Sequence, residues 1–270
     1  MISIERIYIA PVKSLGLLEP DAVHVGTSGI TEDRSLYLID SNGAVLTQRQ
    51  MGHLVKVRAH YDSNTEELTL RFPEVSSGDS KKPDGAESQE ALTGMIRLGE
   101  AVTSIMWGRQ VPGRLVDGDW SQALSDFCGQ PVRLVQSDLP GQCFDEYPVS
   151  LVSQASLDFL RKQCGDSHTF ESKRFRPNFL LAGCEPHQED DWIGAVIRLG
   201  PDLVIQVVAR DPRCDITTHN PETGERDIDT LRLILSYRPN VRAPYFGVYG
   251  VVVRPGAVSV GDQVVTPFVD

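Results

Sequence analysis

Short runs of alternating apolar and polar residues dominate this chain, and they predict β-strands. Apolar side chains alternate along residues 2–10 with one irregularity, as expected for a strand with one buried face. Two further apolar runs, 35–40 and 44–48, flank Ser41-Asn42-Gly43. Because Asn and Gly both tolerate positive φ, this spacing predicts a β-hairpin. More strands are predicted at 54–61, 67–72, 95–98, 101–107, 132–136, 178–182, 195–199, 203–209, 248–254 and 263–268.

Three helices interrupt this β background, at about residues 120–127, 154–163 and 229–237. The segment 74–94 lacks aromatic residues and is rich in Ser, Gly, Asp and Lys, which predicts a mobile surface loop. No G-x-G-x-x-G follows a strand and no P-loop is present, so the pattern argues against dinucleotide- and NTP-binding folds. The chain is therefore predicted to be mainly β with a few helices.

Charge and cysteine content narrow the function classes. The net charge of −11 argues against nucleic-acid or membrane partners, whose surfaces are anionic, although a few basic groups can still converge on a small anion. The five cysteines form no C-x-x-C pair, which argues against a structural zinc site or an iron–sulfur cluster. Their odd number, together with the lack of a targeting segment or a long apolar run, predicts a cytoplasmic protein without a transmembrane helix.

Cys214 is the candidate with the most distinctive chemistry. It follows an apolar run in a polar turn, with Arg210 and Arg213 beside it. Positive charge favours the thiolate, the form that binds soft metals, whereas the two flanking aspartates oppose this shift. Two alternatives remain open at this point: a cysteine that only packs at a strand end, and a Cys–His pair with His219.

Two basic groups near the N-terminus are candidates for anion binding. Lys13 and Ser14 follow a strand that ends at a proline, and an ammonium beside a hydroxyl and free backbone N–H groups suits a phosphate. Arg34 and Arg49 lie at one end of the Asn-Gly hairpin, where guanidinium forks could bind phosphate or pterin carbonyl groups. Taken singly, each also fits an ordinary surface role: a solvated lysine at a strand exit, or an arginine in a surface ion pair.

A third basic group lies in the second half of the chain. Lys173, Arg174 and Arg176 form the densest basic cluster of this acidic protein, and Asn178 follows directly. Ser153 heads the second predicted helix, and helix N-termini attract anions. A simple N-cap role also explains Ser153, and a solvated face also explains the cluster.

Taken in order along the chain, these segments resemble the MOSC family, named for the C-terminal domain of molybdenum-cofactor sulfurase, and most closely its two-domain amidoxime-reducing members. The motifs that resemble the family's N-terminal β-barrel domain are Pro11-Val12-Lys13-Ser14, Gly29 with Asp33-Arg34, and Thr47-Gln48-Arg49-Gln50. Those that resemble the MOSC domain are Phe175-Arg176-Pro177-Asn178, Arg213-Cys214 with Thr217-Thr218, residues 220–224 and residues 255–262.

The resemblance implies a fold and a site. It implies two β-barrel-like lobes, with residues 1 to about 120 as the MOSC N-terminal domain and about 121 to 270 as the MOSC domain. The cofactor is then expected in the cleft between the lobes. Cys214 falls at the position of the family's catalytic cysteine, which binds molybdenum. The residues implied to hold the pterin cofactor and its phosphate, or to lie near it, are Lys13, Ser14, Arg34, Arg49, Ser153, Arg176 and Asn178.

The implied activity is that of a molybdenum-cofactor-dependent oxidoreductase that reduces N-hydroxylated small molecules. No cysteine cluster follows the last motif, so the electrons are expected from a separate donor protein. Pro212 and Asp215 depart from the usual residues around the cysteine, and a carboxylate there would disfavour an anion. The alternatives are a non-catalytic carrier or sulfur-relay protein that hands the molybdenum cofactor on, and a degenerate site that binds another anion or a protein.

Overall fold

The computed structural model describes residues 1–73, 91–139, 142–163, 170–238 and 243–267. Within these ranges the protein is mainly β, which confirms the predicted fold class. The strands are β1 (Ser3–Ile7), β2 (Ala22–Gly26), β3 (Gly29–Ile30), β4 (Leu36–Asp40), β5 (Val45–Leu46), β6 (Arg58–Asp62), β7 (Glu67–Arg71), β8 (Ala91–Met95), β9 (Arg97–Met106), β10 (Arg109–Asp117), β11 (Val132–Ser137), β12 (Val149–Ser153), β13 (Phe179–Ala182), β14 (Val196–Leu199), β15 (Leu203–Pro212), β16 (Tyr245–Arg254), β17 (Gly256–Ser259) and β18 (Val264–Val265).

The helices are α1 (Trp120–Cys128), α2 (Gln154–Gln163) and α3 (Thr230–Tyr237), close to the three predicted segments. Short 3₁₀ turns lie at Gly52–Lys56, Ser172–Phe175, Gln188–Trp192 and Asp215–Thr218. None of the helices in the described ranges is long and apolar enough to cross a membrane.

The largest sheet has seven strands in the order β1-β13-β12-β16-β15-β14-β18 and is nearly closed into a barrel. The two end strands meet, because Ser3 bridges Gln263 and the backbone N–H of Val264 donates to the Ile2 carbonyl at 3.0 Å. Only the β12–β13 pair in this sheet is parallel. Apolar side chains from alternate strand positions, such as Phe179 and Ile205, fill the interior with no exposed surface.

A five-stranded sheet, β5-β4-β11-β10-β9, forms the main framework of the other lobe. Its β4–β5 hairpin confirms the Asn-Gly prediction: Leu38 pairs with Leu46, and Gly43 has φ +80° in the turn. Helix α1 buries Trp120 and Leu124, on one face four residues apart, against this lobe's core. Two three-stranded sheets, β6-β7-β8 and β17-β2-β3, complete the strand pairing.

Each half of the chain contributes a strand to the main sheet of the other half. β1, from the first residues, is an edge strand of the seven-stranded sheet, whose other members all follow residue 148. Conversely, β11 pairs with β4 and β10 inside the five-stranded sheet. The domain boundary near residue 120 stays a prediction, and elements on both sides of it share sheets.

Local differences from the predicted elements have simple causes. Residues 54–56 were expected in a strand but lie in a 3₁₀ turn, because Leu54 and Val55 both point into the core instead of alternating. Residues 91–94 were expected in a loop, yet they form β8, which pairs with β7 along its length and places the Thr69 and Thr93 hydroxyls 2.9 Å apart. The rest of the predicted loop, residues 74–90, lies outside the described residues.

Candidate functional site

A cavity of about 470 Å³ lies where the two lobes meet. Its walls are formed by the residue Arg34 just before β4, the β9–β10 hairpin, residues 144–150, the turn after β15 and the middle of β16. Six arginines line it, together with Cys214 and three acidic residues, Asp145, Glu146 and Asp211. The arginines are Arg34, Arg49, Arg109, Arg174, Arg176 and Arg213.

Arg34 is held in place by its own neighbour in sequence. Its backbone is left-handed (φ +53°), which turns the guanidinium onto the Asp33 carboxylate. Asp33 in turn accepts from the Ala10 N–H at 2.7 Å and from the Asn178 Nδ2 at 2.9 Å. Burial opposes the charge on Arg34, but Asp33 and Asp145 outweigh it and raise the pKa of Arg34. Arg34 is therefore a fixed, fully charged cation with a counterion.

Arg176 differs, because it has no such counterion. It follows the 3₁₀ turn Ser172–Phe175, again with a left-handed backbone (φ +49°), and its Nη2 donates to the Leu15 carbonyl at 2.9 Å. Among the described residues, no carboxylate lies within ion-pair distance of it. Burial, and then the neighbouring Arg34 guanidinium, lower the pKa of Arg176 to about 9. The Arg176 guanidinium therefore has no paired anion, and a negatively charged ligand in the cavity would supply one.

Lys13 reaches the cavity through Asp145. Its buried ammonium donates to the Cys143 carbonyl and to Asp145 Oδ1, both at 2.8 Å. Burial lowers the pKa of Lys13. Burial raises the pKa of Asp145, but the Lys13 and Arg34 cations outweigh it and hold that pKa below its ordinary value, so the carboxylate stays ionised. Ser14 follows with a left-handed backbone (φ +74°) and is buried, outside the residues that line the cavity.

Cys214 lies on the cavity wall as a half-buried residue. The turn that begins there fixes its backbone, since its carbonyl accepts from the Thr217 N–H at 3.1 Å and the Thr217 hydroxyl at 3.0 Å. Of the two arginines beside it in sequence, only Arg213 lines the cavity; Arg210 is exposed and pairs with Asp190 at 3.3 Å. Cys214 is thus accessible from the cavity and has cations around it.

The two residues that depart from the family pattern lie differently. Pro212 lines the cavity, whereas Asp215 pairs with Arg226 outside its lining, so this carboxylate is partly compensated. His219 is buried and does not line the cavity either, and no contact joins its ring to Cys214 among the described residues. The structure therefore gives no support to a Cys–His pair.

The remaining predicted residues divide into two groups. Asn178 lines the cavity, but its amide is engaged by the Ser150 N–H at 3.1 Å and by Asp33, which makes it a brace for Arg34. Ser153 does not line the cavity. Its hydroxyl caps α2 by accepting from the Ser156 N–H at 3.1 Å, and its own N–H donates to the buried Glu189. A buried carboxylate at this position disfavours phosphate, so the N-cap explanation fits Ser153 better.

Aromatic side chains form the outer wall. Arg49 is exposed and stacks on the Trp107 ring, 4.5 Å from its centroid, while Arg109 stacks on Phe144 at 4.6 Å. Arg109 also donates to the Phe144 carbonyl at 2.7 Å. No sequence signal singled out Trp107 or Arg109, because the β9–β10 hairpin carries no motif and reaches the site only through the fold.

The acidic residues of the cavity were also missed as site residues. Asp145 and Glu146 lie in an irregular segment with no motif. Asp211 was considered only as a charge beside Cys214. It is 97% buried, and its Oδ2 is 2.7 Å from Arg213 Nη1. Tyr249 comes from the adjacent strand β16, and its hydroxyl is near enough to lower the pKa of Asp211.

These groups match an anionic, thiolate-bound metal cofactor. The soft sulfur ligand of Cys214 lines the same cavity as several guanidiniums. The Arg176 guanidinium has no carboxylate partner, and the buried Nη2 of Arg213 has no hydrogen-bond acceptor. No group of three or more His, Cys, Asp or Glu side chains that could hold a metal ion by themselves is found in the described ranges.

Comparison with known proteins gives the family to which the chain is similar. Residues 1–114 match the family model of the MOSC N-terminal beta barrel domain, and residues 135–265 match that of the MOSC domain. The chain is 27% identical to mitochondrial amidoxime reducing component 2 of Macaca fascicularis, over 97% of this chain and 82% of that one. It is 28% identical to mitochondrial amidoxime-reducing component 1 of Xenopus laevis, over 97% and 81%. Among solved structures, the YuaD protein from Bacillus subtilis aligns with a TM-score of 0.44 and 14% identity, covering 98% of this chain and 94% of that one.

Proposed function

The chain belongs to the MOSC-domain proteins and carries the MOSC N-terminal β-barrel domain ahead of the MOSC domain, and on this premise we propose that it is a molybdenum-cofactor-dependent reductase of N-hydroxylated compounds. The amidoxime-reducing names of its relatives support this reaction class, since they extend over nearly the whole chain. The proposed compartment is the cytoplasm, supported by four free cysteines among the described residues, although the relatives are named as mitochondrial.

One observation carries the proposal: Cys214 shares a single cavity with arginines from both halves of the chain, and Arg176 there lacks a counterion. In the proposed complex, the Cys214 thiolate binds the molybdenum. The cofactor's anionic groups are held by Arg34, Arg49 and Arg176, with Lys13, Ser14 and Asn178 supporting this wall from behind. Ser153 has no part in the proposal, since its contacts are those of a helix cap.

The reaction is a two-electron reduction of a nitrogen–oxygen bond: R₂N–OH + 2 e⁻ + 2 H⁺ gives R₂NH + H₂O. When bound, the molybdenum cofactor supplies the two-electron chemistry and the affinity for oxygen. The chain's own residues orient that cofactor through fixed guanidiniums, and the aromatic wall of Trp107 and Phe144 gives an organic substrate an apolar surface. We propose that the electrons come from a separate donor protein.

Elemental and kinetic analysis together test the proposal. The protein is purified from a host that makes the cofactor, beside Cys214→Ala and, as a matched control, Cys184→Ala, whose partly buried thiol does not line the cavity. The wild type and Cys184→Ala should contain stoichiometric molybdenum and reduce benzamidoxime with reduced methyl viologen as the donor. Cys214→Ala should lose most of the metal and the activity, because the metal's thiolate ligand is gone.

Each contrary outcome has a separate meaning. Stoichiometric molybdenum without turnover of any N-hydroxylated compound would favour the carrier or sulfur-relay alternative. A wild type without molybdenum from a cofactor-producing host would contradict cofactor binding altogether. Retention of molybdenum by Cys214→Ala would contradict the assignment of this sulfur as the ligand.

A further inference from the structure

Two aspartates of the cavity have opposite electrostatic surroundings. Asp145 is paired with the Lys13 ammonium at 2.8 Å and has Arg34 nearby, so its pKa stays below the ordinary value. Asp211 also lines the cavity and is buried there, three residues before Cys214. Pairs of carboxyl groups whose pKa values are driven apart in one site commonly divide acid and base roles between them.

Charged groups of both signs lie near Asp211. Burial raises its pKa to about 6, and the nearby carboxylates Asp145 and Glu146 act in the same direction. The Arg213 guanidinium at 2.7 Å and the Tyr249 hydroxyl both lower it, but they do not offset the burial. A carboxyl group with this pKa exchanges protons readily near neutral pH, which suits a general acid.

The groups around Asp211 also stabilise its deprotonated state. Arg213 is fixed independently of Asp211, because its Nε donates to the Phe246 carbonyl at 2.6 Å and its Nη1 to the Phe175 carbonyl at 2.8 Å. Burial and the adjacent Asp211 raise the pKa of Tyr249 far above its ordinary value, so its hydroxyl stays a hydrogen-bond donor. A carboxylate formed at Asp211 thus meets a stationary cation and a neutral donor.

Resting on the proposed function, we infer that Asp211 is the proton donor of the reaction, with Tyr249 and Arg213 as its positioning residues. The reaction consumes two protons and two electrons. As the N–O bond breaks, the Asp211 carboxyl transfers its proton to the departing hydroxyl, which leaves as water, while the substrate nitrogen takes the second proton from solvent. The two electrons come from the external redox protein. Arg213 stabilises the resulting carboxylate, which is reprotonated from solvent through the cavity.

The other acidic groups of the cavity fit this role less well. Asp145 is kept ionised by Lys13 and Arg34, so it has no proton to give near neutral pH. Glu146 is exposed on the cavity wall and has no ion-pair partner among the described residues, so it belongs to the solvent side. Asp215, the other carboxylate beside Cys214, pairs with Arg226 outside the lining.

The kinetic test compares Asp211→Asn and Tyr249→Phe with the wild type, using benzamidoxime and reduced methyl viologen. Asp211→Asn keeps the shape of the side chain, and its amide oxygen can still accept a hydrogen bond from Arg213, but it has no acidic proton. We expect its kcat to fall by about 100-fold or more, the usual contribution of a general acid, with unchanged molybdenum content. Asp215→Asn is the matched control, a carboxylate on the other side of Cys214, and should retain wild-type rates.

The pH profile separates proton donation from a structural role. Wild-type kcat/KM should fall as the pH rises through the pKa of Asp211, because the acid must be protonated, and this limb should vanish in Asp211→Asn. Tyr249→Phe removes the hydroxyl that lowers the pKa of Asp211, so the limb should move to higher pH. If Asp211 had only a structural role, neither substitution would change the pH dependence of kcat/KM.

A third measurement needs no cofactor. Carbon-13 NMR of carboxyl-labelled, cofactor-free protein should contain a resonance that titrates near pH 6 and that Asp211→Asn lacks. If this resonance is absent, or if Asp211→Asn keeps the wild-type limb and rate, the inference is wrong while the proposed function stands. If the loaded wild type reduces no N-hydroxylated compound, both are contradicted.

Discussion

Two neighbouring guanidiniums illustrate how single residues define the site. Arg34 contacts the Asp33 carboxylate and has a raised pKa, whereas Arg176 lies half-buried beside it without a carboxylate partner and has a pKa lowered to about 9. A buried cation without a counterion costs folding free energy. Its persistence in the fold is explained by a ligand that compensates it, here an anionic cofactor.

Replacing Arg176 by Met should therefore separate binding from stability. We expect the free energy of unfolding of the cofactor-free protein to change by no more than about 1 kcal/mol, because only the bond to the Leu15 carbonyl is lost. Release of the cofactor should become faster. Arg174→Met is the control, since Arg174 is more deeply buried and pairs with Asp227 at 2.7 and 2.9 Å.

Because Arg174→Met leaves the buried Thr217 and His219 carbonyls and the Asp227 carboxylate without their shared donor, it should destabilise by roughly 2–3 kcal/mol. Urea denaturation of both cofactor-free variants measures these differences. A loss of stability in Arg176→Met as large as that in Arg174→Met would identify Arg176 as a structural residue.

At the scale of elements, the 220–224 turn, which follows the turn at Cys214, contacts the N-terminal lobe through two glycines. Gly224 ends the 220–224 turn with φ +76°, and Gly52 begins the first 3₁₀ turn. A Cβ on either residue would lie about 2 Å from the other's carbonyl oxygen: 2.1 Å from Gly52 O for Gly224 and 2.0 Å from Gly224 O for Gly52. The absence of side chains at this point lets the two lobes approach.

Gly224→Ala should consequently disturb both stability and the site. The control is Gly194→Ala, because Gly194 also has positive φ (+90°) but has no atom within 4 Å of an added Cβ. Gly194→Ala should cost about 1–2 kcal/mol from backbone strain alone. Gly224→Ala adds the overlap with Gly52 and should cost roughly 1–3 kcal/mol more, with weaker cofactor retention. Equal unfolding free energies for the two variants would refute this close approach.

At the scale of the whole molecule, neither half of the chain has a complete set of strands. β1 closes the seven-stranded sheet by pairing with β13 and bridging Gln263, and β2 pairs with β17. In return, α1 and β11 complete the core of the five-stranded lobe, to which Trp120 and Leu134 contribute. Exposed backbone edges and apolar faces would remain if the halves were separated.

Residues 121–270 expressed alone should therefore lack a cooperative thermal unfolding transition. Without β1, the edges of β13 and of the strand at Gln263 are unpaired, and Val25 and Ile30 are missing from the barrel core. Adding residues 1–120 as a separate chain should restore the transition, observed by circular dichroism. A fragment that unfolds cooperatively by itself, at a temperature close to that of the whole protein, would overturn this prediction.

The sequence by itself determined the local features of this protein. Alternation of apolar residues located most strands, and the Asn-Gly pair located the β4–β5 hairpin. Capping residues and the Gly or Pro residues that end helices located α1, α2 and α3. Each of these signals depends on residues close together in the chain. The ordered motifs also indicated the family and singled out Cys214. Ser153 was correctly seen as a helix start, but sequence could not decide between a cap and an anion site.

Only the tertiary structure decided which distant residues meet. Asp145, Asp211 and Tyr249 reach one cavity through sheet register and lobe contact, and no local pattern encodes pairings of such long sequence separation. The same holds for the lowered pKa of Arg176, because burial and the field of Arg34 exist only in the folded chain. Strand propensity is a short-range property, whereas charge, burial and closure of the barrel arise from contacts between remote segments.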